Sequence, residues 1–466
     1  MSYGSGLPPL RYALTVVSIA AVASLAAGQA PLSNVLGAGP EAVRDNPALF
    51  APYAASVHIA GFDQGATTSR SPDEFGARVG DAFLLRASAV VSLDADPTEL
   101  AATGSIPTLG FNRRVNRAQF GAYHAVRARG FATVPAGAIQ LAVAGNATRL
   151  GTARDVLPEG RLVTYHEITG YFAHRVGRRW AWSVQTSLLG GNSALVLGGE
   201  RARLTTDPDG FAIAYDLDAE LRSAGFAIDV EHERYELDFA PARVDRGVGA
   251  ALGASLVLRA SRTWELGLAV AELGAIRWRG DGARRHTATG RGAFRGQTGN
   301  VFAEDYAFSL ETVIDDLPES ADLRTERAAF STRLAPKLTG HARYRVREAT
   351  DLTWVARGFV YPERVAGTLG LGVAQRFDDA LHVNVYGVYA AGAIAPGGSA
   401  TLNLAGVRLR VACDNLFALG RPERSRYAQL SAGLDLNFGR IRASGRRFGW
   451  FDAARAGGRT TPDNYL

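Results

Sequence analysis

Cysteine is all but missing from this chain: Cys413 is the only one in 466 residues, so no intrachain disulfide can form and none stands near the N-terminus to carry a lipid. Lysine is as scarce, and the basic residues are almost all arginine. Beyond the first residues no run of about 18 apolar residues occurs, which excludes ordinary transmembrane helices. A bilayer could then be crossed only by a closed β-barrel, because every backbone N–H and C=O in hydrocarbon must find a partner within the protein. There is no Gly-x-Ser-x-Gly, and Gly247-x-Gly249-x-x-x-Gly253 misses the dinucleotide spacing. The net charge of +6, from 51 Lys+Arg against 45 Asp+Glu, is spread along the chain and forms no patch suited to nucleic acid.

What is present begins with residues 1–28. Arg11 precedes an apolar run from Tyr12 to Ala23, followed by Ser24-Leu25-Ala26-Ala27-Gly28. These are the three parts of a secretory signal peptide, cleaved after Ala26 to Gly28, and they imply an exported protein. Residues 29–54 carry Gly, Pro and Asn without alternation and are expected to form a plug-like segment. From residue 55 to 438 apolar and polar residues alternate in run after run. In Trp180-Ala181-Trp182-Ser183-Val184-Gln185-Thr186-Ser187-Leu188 one parity suits lipid and the other a wet interior. Tyr427 to Phe438 repeats the pattern. So do Phe226 to Glu231, Trp264 to Val270 and the runs near 338–347, 353–361, 366–376, 381–390 and 399–412. The tail 439–466 is basic and unsuited to hydrocarbon. The expected fold class is all-β, a closed antiparallel transmembrane β-barrel with long loops. Residues 279–300 and 303–333 are placed outside the bilayer, the latter with room for a short helix.

Period two also assigns faces. With Ala342, Tyr344 and Val346 outward, Arg343, Arg345 and Arg347 face the lumen along with His341; with Val407, Leu409 and Val411 outward, Arg408 and Arg410 join them. Asp229, Glu231 and Glu265 are inward by the same rule. These charges either select solutes electrostatically or pair with one another and with the plug. His166, Glu167 and His174 lack the spacing of a zinc-protease helix, so no metal or cofactor is expected.

Several fragments, weak singly, occur in an order that resembles a family. They are Asn46-Pro47-Ala48, Tyr165-His166-Glu167 with Gly170-Tyr171, Trp180 leading to Leu188-Leu189-Gly190-Gly191, Thr206-Asp207-Pro208-Asp209-Gly210, Glu272 to Trp278, Asp414-Asn415-Leu416, and Gly433 to Gly439. The chain resembles the uncharacterised outer-membrane β-barrels typical of Bacteroidota, distant relatives of the long-chain fatty-acid transporter barrels. That resemblance implies about 14 strands and places Asn46, Pro47 and Ala48 in a plug inside the barrel. It brings no agreed activity.

The leading expectation is a non-enzymatic barrel in the bacterial outer membrane that passes a small solute, an apolar one included, through a plugged lumen. The second is a structural or secretion-accessory barrel, like those serving the type IX export apparatus. An outer-membrane hydrolase ranks third. Candidate partners are outer-membrane lipid, a small-molecule solute and periplasmic or secretion proteins, with no nucleic acid.

Overall fold

In a computed structural model of the protein the described residues are 40–440, apart from 80–81, 94, 146–148, 211, 226, 230–233, 237–244, 281, 296–321, 362–364 and 378–379. The expected signal peptide, residues 29–39 of the plug-like segment and the tail from 441 therefore lie outside the described residues, as do residues 303–321 of the segment 303–333 given room for a short helix.

Alternating residues with a high share of aromatic and β-branched side chains form long strands here, since each strand can bury one face and leave the other exposed. The wall consists of β1 (Tyr53–Thr68), β2 (Thr98–Val115), β3 (Ala118–Val134), β4 (Glu159–Val176), β5 (Trp180–Thr206), β6 (Gly247–Leu258) and β7 (Trp264–Trp278). It continues with β8 (Lys337–Arg347), β9 (Thr350–Val360), β10 (Val365–Phe377), β11 (Leu381–Ala390), β12 (Ala393–Leu404), β13 (Val407–Cys413) and β14 (Tyr427–Arg440). Each strand runs antiparallel to the next, and β14 pairs with β1 from Tyr53↔Arg440 to Thr67↔Tyr427, which closes the barrel. Closure removes the free sheet edges that hydrocarbon would not tolerate.

Connections at one end are all short. Asn116-Arg117 and Ala405-Gly406 are typical, with Asn116, Ala405 and Gly406 at the positive φ that tight hairpins demand. The other end carries the long connections. The faces separate as alternation predicts: on β5, Trp180, Trp182, Val184 and Leu188 are exposed while Ala181, Ser183, Gln185 and Ser187 are buried. Near the short-turn end the outer face carries aromatic clusters, Trp264 with Tyr344 and Trp354 at 4.9 and 5.8 Å, and Phe172 with Trp182 at 5.9 Å. Such a belt with an aromatic rim is stable against lipid and not against water.

Three runs lie outside the wall strands, the first against expectation. Residues 227–229 do not join the wall; they pair with 234–236 in a separate ribbon. Alternation specifies a two-faced strand, not the sheet it joins. Residues 283–295, within the Arg- and Gly-rich stretch placed outside the bilayer, form a strand, and 322–327 pair with them. Both belong to an extension of β5, which is 27 residues long. Past Gly191, the partner of Gly247 on β6, it pairs with 212–224 instead.

Candidate functional site: a break in the wall and the segment beside it

The segment before β1 lies against inward-facing side chains of several strands. A short helix α1 (Pro40–Asp45) leads into a 3-10 turn at Pro47–Leu49, capped by Asn46, whose carboxamide oxygen accepts from the Ala48 N–H at 3.1 Å. Asp45 places one oxygen 2.8 Å from Lys337 Nζ on β8 and the other 2.8 Å from Arg357 Nη2 on β9. Gln119 on β3 accepts from the Ala51 N–H at 2.8 Å and donates to the Pro47 carbonyl at 3.3 Å. Ala48 and Phe50 pack with Ala173, Ala181 and Val257, and the Phe50 ring lies beneath the guanidiniums of Arg114 and Arg175, at 5.6 and 4.1 Å. Asn46, Pro47 and Ala48 are all buried.

The inward charges form ion pairs, as polar groups removed from water must. Glu265 has Arg259, Arg343 and His341 at 3.5, 3.8 and 3.9 Å. Asp351 has Arg345 and Arg376 at 3.7 and 3.6 Å. Arg410 lies 3.5 Å from Asp63 and donates to Ser431, and Arg408 is buried opposite Asp435. Arg347 is different: a bulge between Arg345 and Arg347 ends the alternation, leaving Arg347 exposed beside the turn to β9 rather than on the inner wall. Asp229 pairs with Arg234 in the ribbon and so does not line the barrel, and Glu231 lies outside the described residues. Arg127–Glu167 and Arg129–Glu272, at 2.6 and 2.7 Å, complete the inner network.

Between β1 and β2 the wall is not continuous. Pairing stops after His58↔Gly110 and resumes in the same register at Asp63↔Ser105, so residues 59–62 and 106–109 face each other unbridged. Both strands bulge here against their other neighbours, β1 after His58 and β2 after Pro107. Pro107 has no N–H to offer a ladder. On the inner side the His58 ring spans the break, with Nδ1 2.7 Å from Asp435 Oδ1 and Nε2 3.3 Å from the Pro107 carbonyl oxygen. The ring lies close against bare Gly61, where a Cβ would come within 3.2 Å of it. On the outer side Ile59, Ile106 and Leu109 are exposed. Beside them runs a polar chain, Thr108 Oγ1 to His124 Nδ1 at 2.7 Å and His124 Nε2 to His166 Nδ1 at 3.1 Å.

Residues 47–414 match a family of unknown function, DUF5723. The chain belongs to that family. No protein of curated function matches it. Among solved structures it is similar to the Ralstonia pickettii toluene transporter TbuX, at 11% identity over 88% of this chain and 98% of that one, with a TM-score of 0.43. It is also similar to the P. putida toluene transporter TodX, at 10% identity over 86% and 94% with a TM-score of 0.43, and to a Pseudomonas aeruginosa FadL homologue, at 11% over 89% and 98% with a TM-score of 0.42.

Membership of a family without an assigned activity leaves the chemistry to the wall itself. Several residues of this member at the break and its surroundings escaped the sequence reading: His58, Pro107, Asp435, Asp45, Lys337 and Arg357. Pro107 was the available signal, a proline inside a strand-like run and therefore a mark of a bulge or interruption.

Proposed function

We propose that this DUF5723 protein sits in the outer membrane, reached through a cleaved signal peptide, and lets a small apolar solute pass passively between its lumen and the surrounding lipid. The observation that carries the reading is the break between β1 and β2, a stretch of wall without backbone pairing whose outer lip is apolar. Residues 40–51 act as a hatch, anchored by Asp45 and Gln119, that blocks the short-turn end and steers traffic to the wall. Folded barrel behaviour is the first check: the protein fractionates with outer membrane and migrates faster on gels unless heated. In proteoliposomes it should speed equilibration of a neutral apolar dye severalfold over empty vesicles, and deleting residues 33–50 should add ionic conductance. A dye flux equal to that of empty vesicles would sink the proposal.

Two observations favour a second reading, a structural or secretion-accessory barrel. The inner charges are extensively paired, and apolar side chains stand exposed on the connections, Phe83, Leu84 and Leu85 in one hairpin and Leu416, Phe417 and Leu419 in a short helix. Under that reading dye flux is absent and these residues govern capture of a partner protein.

A further inference from the structure

We infer that His58 is a proton-dependent stitch that holds the break in the wall shut. The inference rests on the proposed passage of solute only for its consequence; the stitch itself is argued from geometry. Both ring nitrogens face acceptors, the Asp435 carboxylate and the Pro107 carbonyl. A neutral imidazole carries one N–H. Either neutral tautomer therefore satisfies one contact and sets a lone pair against oxygen in the other. The imidazolium satisfies both, and shifting its extra proton onto Asp435 still leaves two hydrogen bonds. Losing that proton altogether leaves one.

This matters because the stretch has so little else to hold it. Residues 59–62 and 106–109 exchange no ladder bonds, so the His58–Pro107 contact is a side-chain bridge across strands that the backbone leaves unjoined. Of the charged groups, Asp435 on β14 meets the ring; Arg408 on β13 and Arg44 from α1 act on that carboxylate, and Arg410 on β13 pairs with Asp63 on β1. From β2 the facing group is the Pro107 carbonyl. Imidazole is the side chain whose charge ordinarily changes between about pH 5 and 8. The bridge is complete on the acid side of its titration. With only one N–H left, the ring gives it to the charged carboxylate of Asp435, the stronger acceptor, so the contact to Pro107 is released and the break opens when the second proton is lost as pH rises.

The test reads the break directly. In a Cys413→Ser background, spin labels on Ile59→Cys and Leu109→Cys mark the two outer lips, and dipolar broadening is recorded in liposomes from about pH 5 to about pH 8. Broadening should fall at least twofold with rising pH, and His58→Gln should abolish the response while keeping heat-modifiable migration. Asp435→Asn supplies a second variant and should weaken the response. A pH-independent spectrum in the His58 protein, or an equal response in His58→Gln, overturns the stitch. Dye flux on the same vesicles separates the two claims. Labels that respond without any flux uphold the stitch and remove the transport reading, whereas flux with unresponsive labels does the reverse.

Discussion

Between β1 and β2 the unpaired stretch contains Pro107; between β7 and β8 a second one contains Pro336. There β7 pairs with Lys337–Tyr344 below and with 330–333 above, leaving 272–274 opposite 334–336. The two prolines withhold the same donor, yet their surroundings differ. At Pro336 the neighbouring Leu334 N–H still reaches the Gly274 carbonyl at 2.9 Å, Ala335 packs with Phe359 and Tyr361, and Leu334 joins the cluster around Trp278 and Tyr165. Arg129 crosses to Glu272 and lies 4.9 Å from the Phe359 ring. At Pro107 no apolar cluster among the described residues fills the gap, and an ionisable ring does the joining. A packed interruption is a bend in the wall; one spanned by a single titratable group can open.

The comparison breaks most visibly if the packing is removed. Phe359→Ala should cost about 3–5 kcal/mol, the range for truncating a buried aromatic, read as a lower urea midpoint for loss of the fast-migrating band. Ile59→Ala, at the exposed lip of the break, should cost less than about 1 kcal/mol by the same assay. Equal losses would mean the two sites are not different in kind. Next, Glu272→Leu strips Arg129 of its carboxylate and should destabilise by about 3 kcal/mol, without raising dye flux. Pro107→Val sharpens the contrast from the other side. By restoring an N–H it should let the ladder knit and reduce flux severalfold, while Pro336→Val leaves flux unchanged; stability should move by less than about 1 kcal/mol. The smallest effect lies above the break, where Glu74 accepts from the Ser71 N–H at 2.9 Å and from Arg426 at 2.7 Å. Burial pushes its carboxyl up, but these hydrogen bonds and Arg426 more than offset that, and the group sits below the ordinary glutamate range. Its stabilising contribution is full above that range and fades as pH falls through the depressed value. Glu74→Gln should therefore flatten a weak acid-side slope in hydrogen exchange of residues 71–75.

The parts legible in the sequence were those set by one strand alone. Trp180 to Leu188 and Tyr427 to Phe438 announced their two faces, and the parity that set Arg343, Arg408 and Arg410 apart from their neighbours matches their burial. Reading failed where another chain segment decided the outcome. Phe226 to Glu231 alternates as well as many wall strands, but residues 227–229 pair with 234–236. Arg347 keeps inward parity in the sequence and loses it to a bulge. The junction at His58 was least accessible, since its partners come from two other strands and nothing near residue 58 announces them.

His58 and Asp435 are 377 residues apart in sequence. The ladder that joins their strands is the one that turns an open sheet into a cylinder, so it cannot begin to form until nearly all the chain is on hand. Contacts of such separation carry a high loop-closure cost and slow folding. Until closure, β1 and β14 are bare edges open to aggregation. Closure brings His58 and Asp435 together and gives the completed cylinder a spectroscopic marker in the imidazole resonance of one residue.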